Sequence, residues 1–83
     1  GLQLRQAHKA KAELPDVCAE LRLAKKTDAE LLVYDTSGRL LSRTDMAGGT
    51  IKRADFTVPQ TGVYVVKALT LEEEFTRKIM ANY

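Results

Sequence analysis

Apolar and polar residues alternate along most of this chain with a period of two. Val17, Ala19, Leu21 and Leu23 interleave with Cys18, Glu20, Arg22 and Ala24. Successive side chains of a strand point to opposite faces, so this spacing predicts a half-buried strand. The polar run Lys25-Lys26-Thr27-Asp28 reads as a turn, and a second strand follows over about Glu30 to Tyr34. Asp35-Thr36-Ser37-Gly38 has Asp first and Gly fourth, which suits a type I turn. Gly38 takes positive φ without steric cost, so the chain re-enters a strand over about Arg39 to Thr44, with Gly48-Gly49 as the breaker beyond it. From Ile51 to Val58 the residues Ala54, Phe56 and Val58 share a face. Lys52 has the same parity, which predicts a bend or bulge near the start of that strand. Pro59 stops ladder pairing and Gly62 restarts it. Over Gly62 to Thr70 the set Tyr64, Val66, Ala68 opposes the set Val63, Val65, Leu69, so both faces are apolar and the strand is central or covered twice. Glu72-Glu73-Glu74 forms a charged tip that discourages edge aggregation, and a last strand runs from Phe75 to about Ala81.

The first residues are less regular. Gln3 to Leu14 is rich in good helix formers, but Leu4 and Leu14 stand too far apart to make an apolar stripe. Leu2 and Leu4 fit the start of a strand. Residues 1–16 therefore read as an N-terminal edge strand and linker, and 17–83 as the body of the domain. Turn signals every eight to twelve residues give the cadence of an all-β, antiparallel Ig-like β-sandwich of about seven short strands. No internal repeat or low-complexity segment interrupts it.

Eighty-three residues make one domain with a thin core, burying about 60–65% of the surface its unfolded chain exposes. Thirteen basic and eleven acidic residues leave a net charge of +2. Lys9, Lys11, Lys25 and Lys26 form only loose clusters without interleaved aromatics, so nucleic acid is not an expected partner. Cys18 is alone, so no internal disulfide forms, and it reads as a small, partly buried hydrophobe. There is no apolar run of membrane-spanning length and no signal peptide, as expected of a domain cut from a longer protein.

Candidate chemistry is sparse. Asp35-Thr36-Ser37-Gly38 superficially resembles the aspartic-protease loop, but Ser37 intervenes before Gly38 and a second carboxylate is needed to share the proton. His8 is the only histidine, which precludes a His cluster or a Ser-His-Asp arrangement within one chain. Asp45 and Asp55 flank the glycine pair without the spacing of a calcium loop. Gly48-Gly49 lacks the lysine and strand-to-helix context of a phosphate loop. No enzyme activity, cofactor or metal is expected.

Two segments and the terminus together resemble the C-terminal sorting domains of the Bacteroidetes type IX secretion system. Those domains carry an apolar strand ending in Tyr/Phe-Asp, two variable residues, Gly-Lys/Arg and another apolar strand. Leu32-Val33-Tyr34-Asp35-Thr36-Ser37-Gly38-Arg39-Leu40-Leu41 is similar to that pattern, Gly62-Val63-Tyr64-Val65-Val66-Lys67 resembles the family's Gly-x-Tyr strand, and Arg77-Lys78-Ile79-Met80 its basic-then-apolar last strand. The resemblance spans roughly residues 17–80. It implies a seven-stranded Ig-like sandwich that acts as an export address, recognised at the outer membrane after the parent has crossed the periplasm to be displayed at the cell surface. Asp35, Gly38, Arg39, Gly62, Tyr64, Val66, Lys67, Arg77, Lys78, Ile79 and Met80 are the residues it carries over as a secretion signal. The implied partners are the type IX machinery, with a surface sortase and shuttle proteins, and the parent protein preceding the domain. Three departures stand out: no Pro-Asn-Pro near the first strand, where Leu14-Pro15-Asp16 is a loose echo; three glutamates at the hairpin tip; and the ending Ala81-Asn82-Tyr83. The last leaves open whether a sortase removes the domain or it is retained.

A physical reading stands beside the resemblance. A terminal edge strand presents unpaired backbone groups, and Lys67, Arg77 and Lys78 add charge complementarity toward an acidic partner. The same edge permits a homodimer by edge pairing or strand swap. The alternative is an Ig-like adhesion or carbohydrate-binding module of a cell-surface protein, although the chain has no Trp for sugar stacking.

Overall fold

The computed structural model describes residues 1–7 and 16–82. Among them are seven strands and no helix: β1 (Leu2–Ala7), β2 (Asp16–Arg22), β3 (Ala29–Tyr34), β4 (Leu40–Gly48), β5 (Ile51–Thr57), β6 (Gly62–Leu69) and β7 (Glu74–Ala81). All neighbours pair antiparallel in the order β1-β2-β5-β4-β3-β6-β7. The fold is thus all-β, as expected. β1 is the expected edge strand, while the linker reading for residues 8–15, and His8 with it, lies outside the described residues.

β4 divides its length between two partners. Its residues up to Met46 pair with β3, whereas Ala47 and Gly48 pair with Arg53 and Lys52 of β5. The strand therefore runs past Thr44, where the expected strand stopped. Nothing in Asp45-Met46-Ala47 breaks a ladder, and Met46 buries its side chain opposite Ala29. Through this corner the sheet curls back on itself, nearly closed like a barrel. At the seam, the Arg77 Nε–H donates to the Leu2 carbonyl at 3.2 Å, and the Asn82 N–H to Gln6 Oε1 at 2.9 Å. Gln6 Nε2 donates in turn to the Asn82 carbonyl. Residues 2 and 6 thus meet 77 and 82 in the same order, so β1 and β7 lie parallel, held by side chains without a ladder.

The core follows the period-two pattern. Val17, Ala19 and Leu21 of β2 face Leu31 and Val33 of β3, Phe56 of β5 and Tyr64, Val66 and Ala68 of β6, with Leu2, Val58 and Ala81 closing the ends. Val17, Leu21 and Val66 are completely buried, and each such side chain contributes about 1.5–3 kcal/mol by leaving water. β6 is central, between β3 and β7. The bulge expected near Lys52 is absent: β2 and β5 pair without a break from Asp16↔Thr57 to Arg22↔Ile51. Lys52 instead points inward in register, only 4% exposed, and its ammonium donates to the Gly48 carbonyl at 2.9 Å. A flexible four-carbon stem reaches the hairpin end where a kink was expected. The irregularity lies in β4, where the register steps from Val33↔Ser42 to Tyr34↔Leu40 and leaves Leu41 as the extra residue.

Candidate functional site

The β3–β4 turn has the geometry its residues predict. The Gly38 N–H donates to the Asp35 carbonyl at 3.1 Å, and Gly38 sits at φ 88°, a left-handed value that glycine adopts without strain. Asp35 Oδ1 accepts from the Ser37 hydroxyl at 2.6 Å, the Ser37 N–H at 2.9 Å and the Arg39 N–H at 3.0 Å, while Oδ2 lies 3.2 Å from Arg39 Nε. The Ser37 hydroxyl foremost, and the Arg39 amide after it, hold the Asp35 carboxyl below its ordinary range. Asp35, Ser37 and Gly38 of the Asp-x-x-Gly run thereby each have a local structural task. Among the described residues no group of three or more His, Cys, Asp or Glu side chains is placed to hold a metal ion. Asp45 and Asp55 lie within strands, Asp45 opposite Glu30 and Asp55 opposite Cys18, and do not share a loop.

The fold brings Tyr34–Arg39 beside the hairpin that carries Gly62–Lys67 and Arg77–Met80, because β6 pairs with β3 as well as with β7. Val65 has Tyr34 on one side and Lys78 on the other; Lys67 has Leu32 and Thr76. Burial then divides the candidate residues. Tyr64 and Val66 belong to the core, the Tyr64 hydroxyl donating to the Gln60 carbonyl at 2.7 Å, and Ile79 packs against them. These three build the scaffold. Gly62 opens β6 opposite Ala81. Lys67 is engaged within the chain, its ammonium 3.5 Å from Glu74 Oε1 and 5.7 Å above the Tyr34 ring. Arg77 spends one donor on Leu2. Arg39, Lys78 and Met80 are exposed, Met80 by 56%.

An apolar surface accompanies them that was not assembled from the sequence. The pairings Tyr34↔Leu40, Tyr34↔Val65 and Val63↔Met80 place these five side chains on the outer face of the β3-β6-β7 layer. Leu32 lies on the same face yet is only 5% exposed. Leu40 is 43% exposed. The two-sided apolarity of β6 was the available signal; Leu40 joins the face only because the bulge at Leu41 shifts its parity.

Across the molecule, Cys18 is half-buried on the outer face of β2, between Arg5 and Asp55. Its hydrogen bond to the Asp55 carboxylate above all, then burial, pushes the thiol up from its ordinary value, which disfavours the reactive thiolate. Of the loose basic clusters, Lys25 pairs with Glu72 at 3.2 Å, whereas Lys9 and Lys11 lie outside the described residues. No protein-family model, curated protein or solved structure matches this chain.

Proposed function

We propose that this chain is a non-catalytic C-terminal sorting domain, an Ig-like sandwich that directs its parent protein across the outer membrane by the type IX secretion system to the cell surface. One observation carries the reading: the segment around Tyr34–Arg39 lies on the strand beside the β6–β7 hairpin, so all three segments that resemble the family's signal share adjacent strands of one layer. The exposed members, Arg39, Lys78 and Met80, supply the accessible part of the address, and Tyr64, Val66 and Ile79 its support. The division of β4 between β3 and β5 agrees with two layers, β1-β2-β5 against β4-β3-β6-β7, which is the arrangement an Ig-like sandwich requires.

The test follows the location of the full-length parent in cells. Removing residues 78–83 truncates β7, so the decisive variant is Lys78→Glu/Met80→Ser, whose side chains are exposed and whose loss spares the core. Retention of a folded parent in the periplasm is the expected result. Unchanged arrival at the surface defeats the reading. A second reading, an adhesion module, draws on the apolar outer face around Tyr34 and Leu40; it requires saturable binding of a glycan or a host protein by the isolated domain.

A further inference from the structure

Rows of side chains cross the outer face of the β4-β3-β6-β7 layer, and their chemistry changes from one end of the strands to the other. At one end Asp45, Glu30, Leu69 and Glu74 stand abreast, one on each strand. The next row is Arg43, Leu32, Lys67 and Thr76, and the third is Leu40, Tyr34, Val65 and Lys78. Val63 and Met80 close the face, with Arg39 just before the start of β4. Carboxylates thus collect at one end, and apolar side chains with Lys78 and Arg39 at the other. Two of the acids are already engaged from the second row, Glu30 by Arg43 at 3.4 Å and Glu74 by Lys67 at 3.5 Å. No other strand lies over this face, and it leaves Leu40 43% and Met80 56% exposed.

A face graded in charge along its strands is complementary to itself. A second copy turned over about an axis across the strands lays each strand antiparallel above its own counterpart. With that axis between the second and third rows, Leu32 faces Tyr34 of the second copy, Leu69 faces Val63, and Asp45 comes over Arg39. Lys78 then stands above Thr76 of the second copy, one row from its Glu74. Sheets stack face to face about 10 Å apart with strands within about 30° of each other, which brings such side chains into contact. A two-fold axis along the strands instead sets Asp45 over Glu74 and gathers every carboxylate of both faces together. Charge excludes that arrangement and selects the first.

We propose that the outer face of β4-β3-β6-β7 docks on the same face of a second copy, forming an isologous dimer in which Tyr34, Val63, Val65 and Leu69 make the apolar centre and Lys78 reaches Glu74 of the other copy. Four strands make a patch at the small end of specific interfaces, so the dimer is weak and reversible. The inference does not rest on the export reading. Where both hold, a second copy and a receptor compete for Lys78 and Met80.

The experiment is sedimentation equilibrium of the chain, which gives a monomer–dimer equilibrium with a Kd of about 10–100 μM. Lys78→Glu and Glu74→Lys each weaken association about tenfold, since each sets like charges across the two-fold. Glu74→Lys also gives up the exposed pair with Lys67, which contributes little to stability. An equimolar mixture of the two variants restores association to within about threefold of the unaltered chain, because both contacts again join opposite charges, and this recovery also shows that both variants are folded. Raised salt weakens the dimer. A monomer at about 500 μM, association that continues past the dimer, variants that associate like the unaltered chain, or a mixture no better than its parts overturns the proposal. So does a monomer that sediments with phosphatidylglycerol vesicles, which assigns the face to a lipid surface. The localisation of the parent is read separately, so this assay can fail while the export reading holds, and the reverse.

Discussion

The two outer faces of this small domain are built on opposite principles. Over β1, β2 and β5 the outward positions are Gln3, Arg5, Cys18, Glu20, Arg53 and Asp55, mostly polar and cross-linked by ion pairs such as Glu20–Arg53 at 3.2 Å. Over β3, β6 and β7 they include Tyr34, Leu40, Val63, Val65 and Met80, with Leu32 nearly covered beneath its neighbours. The two layers of one thin domain therefore present different chemistry to water, one apolar and one polar. The seam between β1 and β7 is where the two faces meet, bridged by the side chains of Arg77 and Gln6.

The largest expected effect compares adjacent residues on opposite faces of β3. Leu31 is 1% exposed in the core and Leu32 5% exposed on the outer face. Leu31→Ala should cost about 3 kcal/mol in urea unfolding, whereas Leu32→Ala should cost about 1–2 kcal/mol because its side chain has no second layer above it. Equal losses would mean that the outer apolar face is packed as tightly as the interior.

The next tests the corner in β4 that joins the two layers. Gly48 stands at φ 122°, and a Cβ there would collide with the Ile51 carbonyl oxygen. Gly48→Ala should therefore cost about 2 kcal/mol, and Gly38→Ala, at φ 88° with open space around it, about 1 kcal/mol. Thermal unfolding of the two variants ranks them; a reversed order would show that the corner adapts more readily than the β3–β4 turn.

Smaller still is the effect of making the apolar face polar. Leu40→Ser/Met80→Ser should change stability by no more than about 0.5 kcal/mol per site, because both side chains are substantially exposed. If the face is a contact surface, self-association or partner binding falls while the unfolding midpoint holds, a difference that sedimentation and urea titration separate.

The smallest effect appears only as pH dependence. Asp35 has a folded-state value held below its unfolded one by Ser37 and Arg39. It therefore contributes stability that is full above the ordinary Asp range and is lost as pH falls through the lowered folded value. Glu20, on the polar face, is held low by Arg22 first and Arg53 second, and has the same sign. Asp35→Asn should flatten the acid limb of the stability profile slightly. Raised salt should diminish the Glu20 contribution more, since part of it reaches across strands to Arg53, while that of Asp35 is closed within its own turn.

Local features were legible because their causes are local. The Asp35–Gly38 turn, the inward set Val17/Ala19/Leu21, the shared face of Tyr64/Val66/Ala68 and the central place of β6 each follow from residue types within a few positions. Lys52 misled because parity alone cannot tell whether a long amphipathic side chain will kink its strand or carry its charge to a carbonyl at the hairpin end. The end of β4 was misplaced for a related reason: a strand that changes partners midway carries no mark of the change in its own residues. The outer face of β4-β3-β6-β7 had only a partial signal, since the two-sided apolarity of β6 was visible but the strands beside it were not.

The chain alone determined that this is an all-β domain, which residues of a regular strand share a face, and where the tight turns fall, because side-chain alternation and glycine φ preferences operate over a few residues. Only the tertiary structure decided which strands are neighbours, that β1 and β7 meet at an unladdered seam, and which cations remain without a carboxylate. Those outcomes depend on the curl of the whole sheet and on pairings between residues dozens of positions apart, which no short-range pattern encodes.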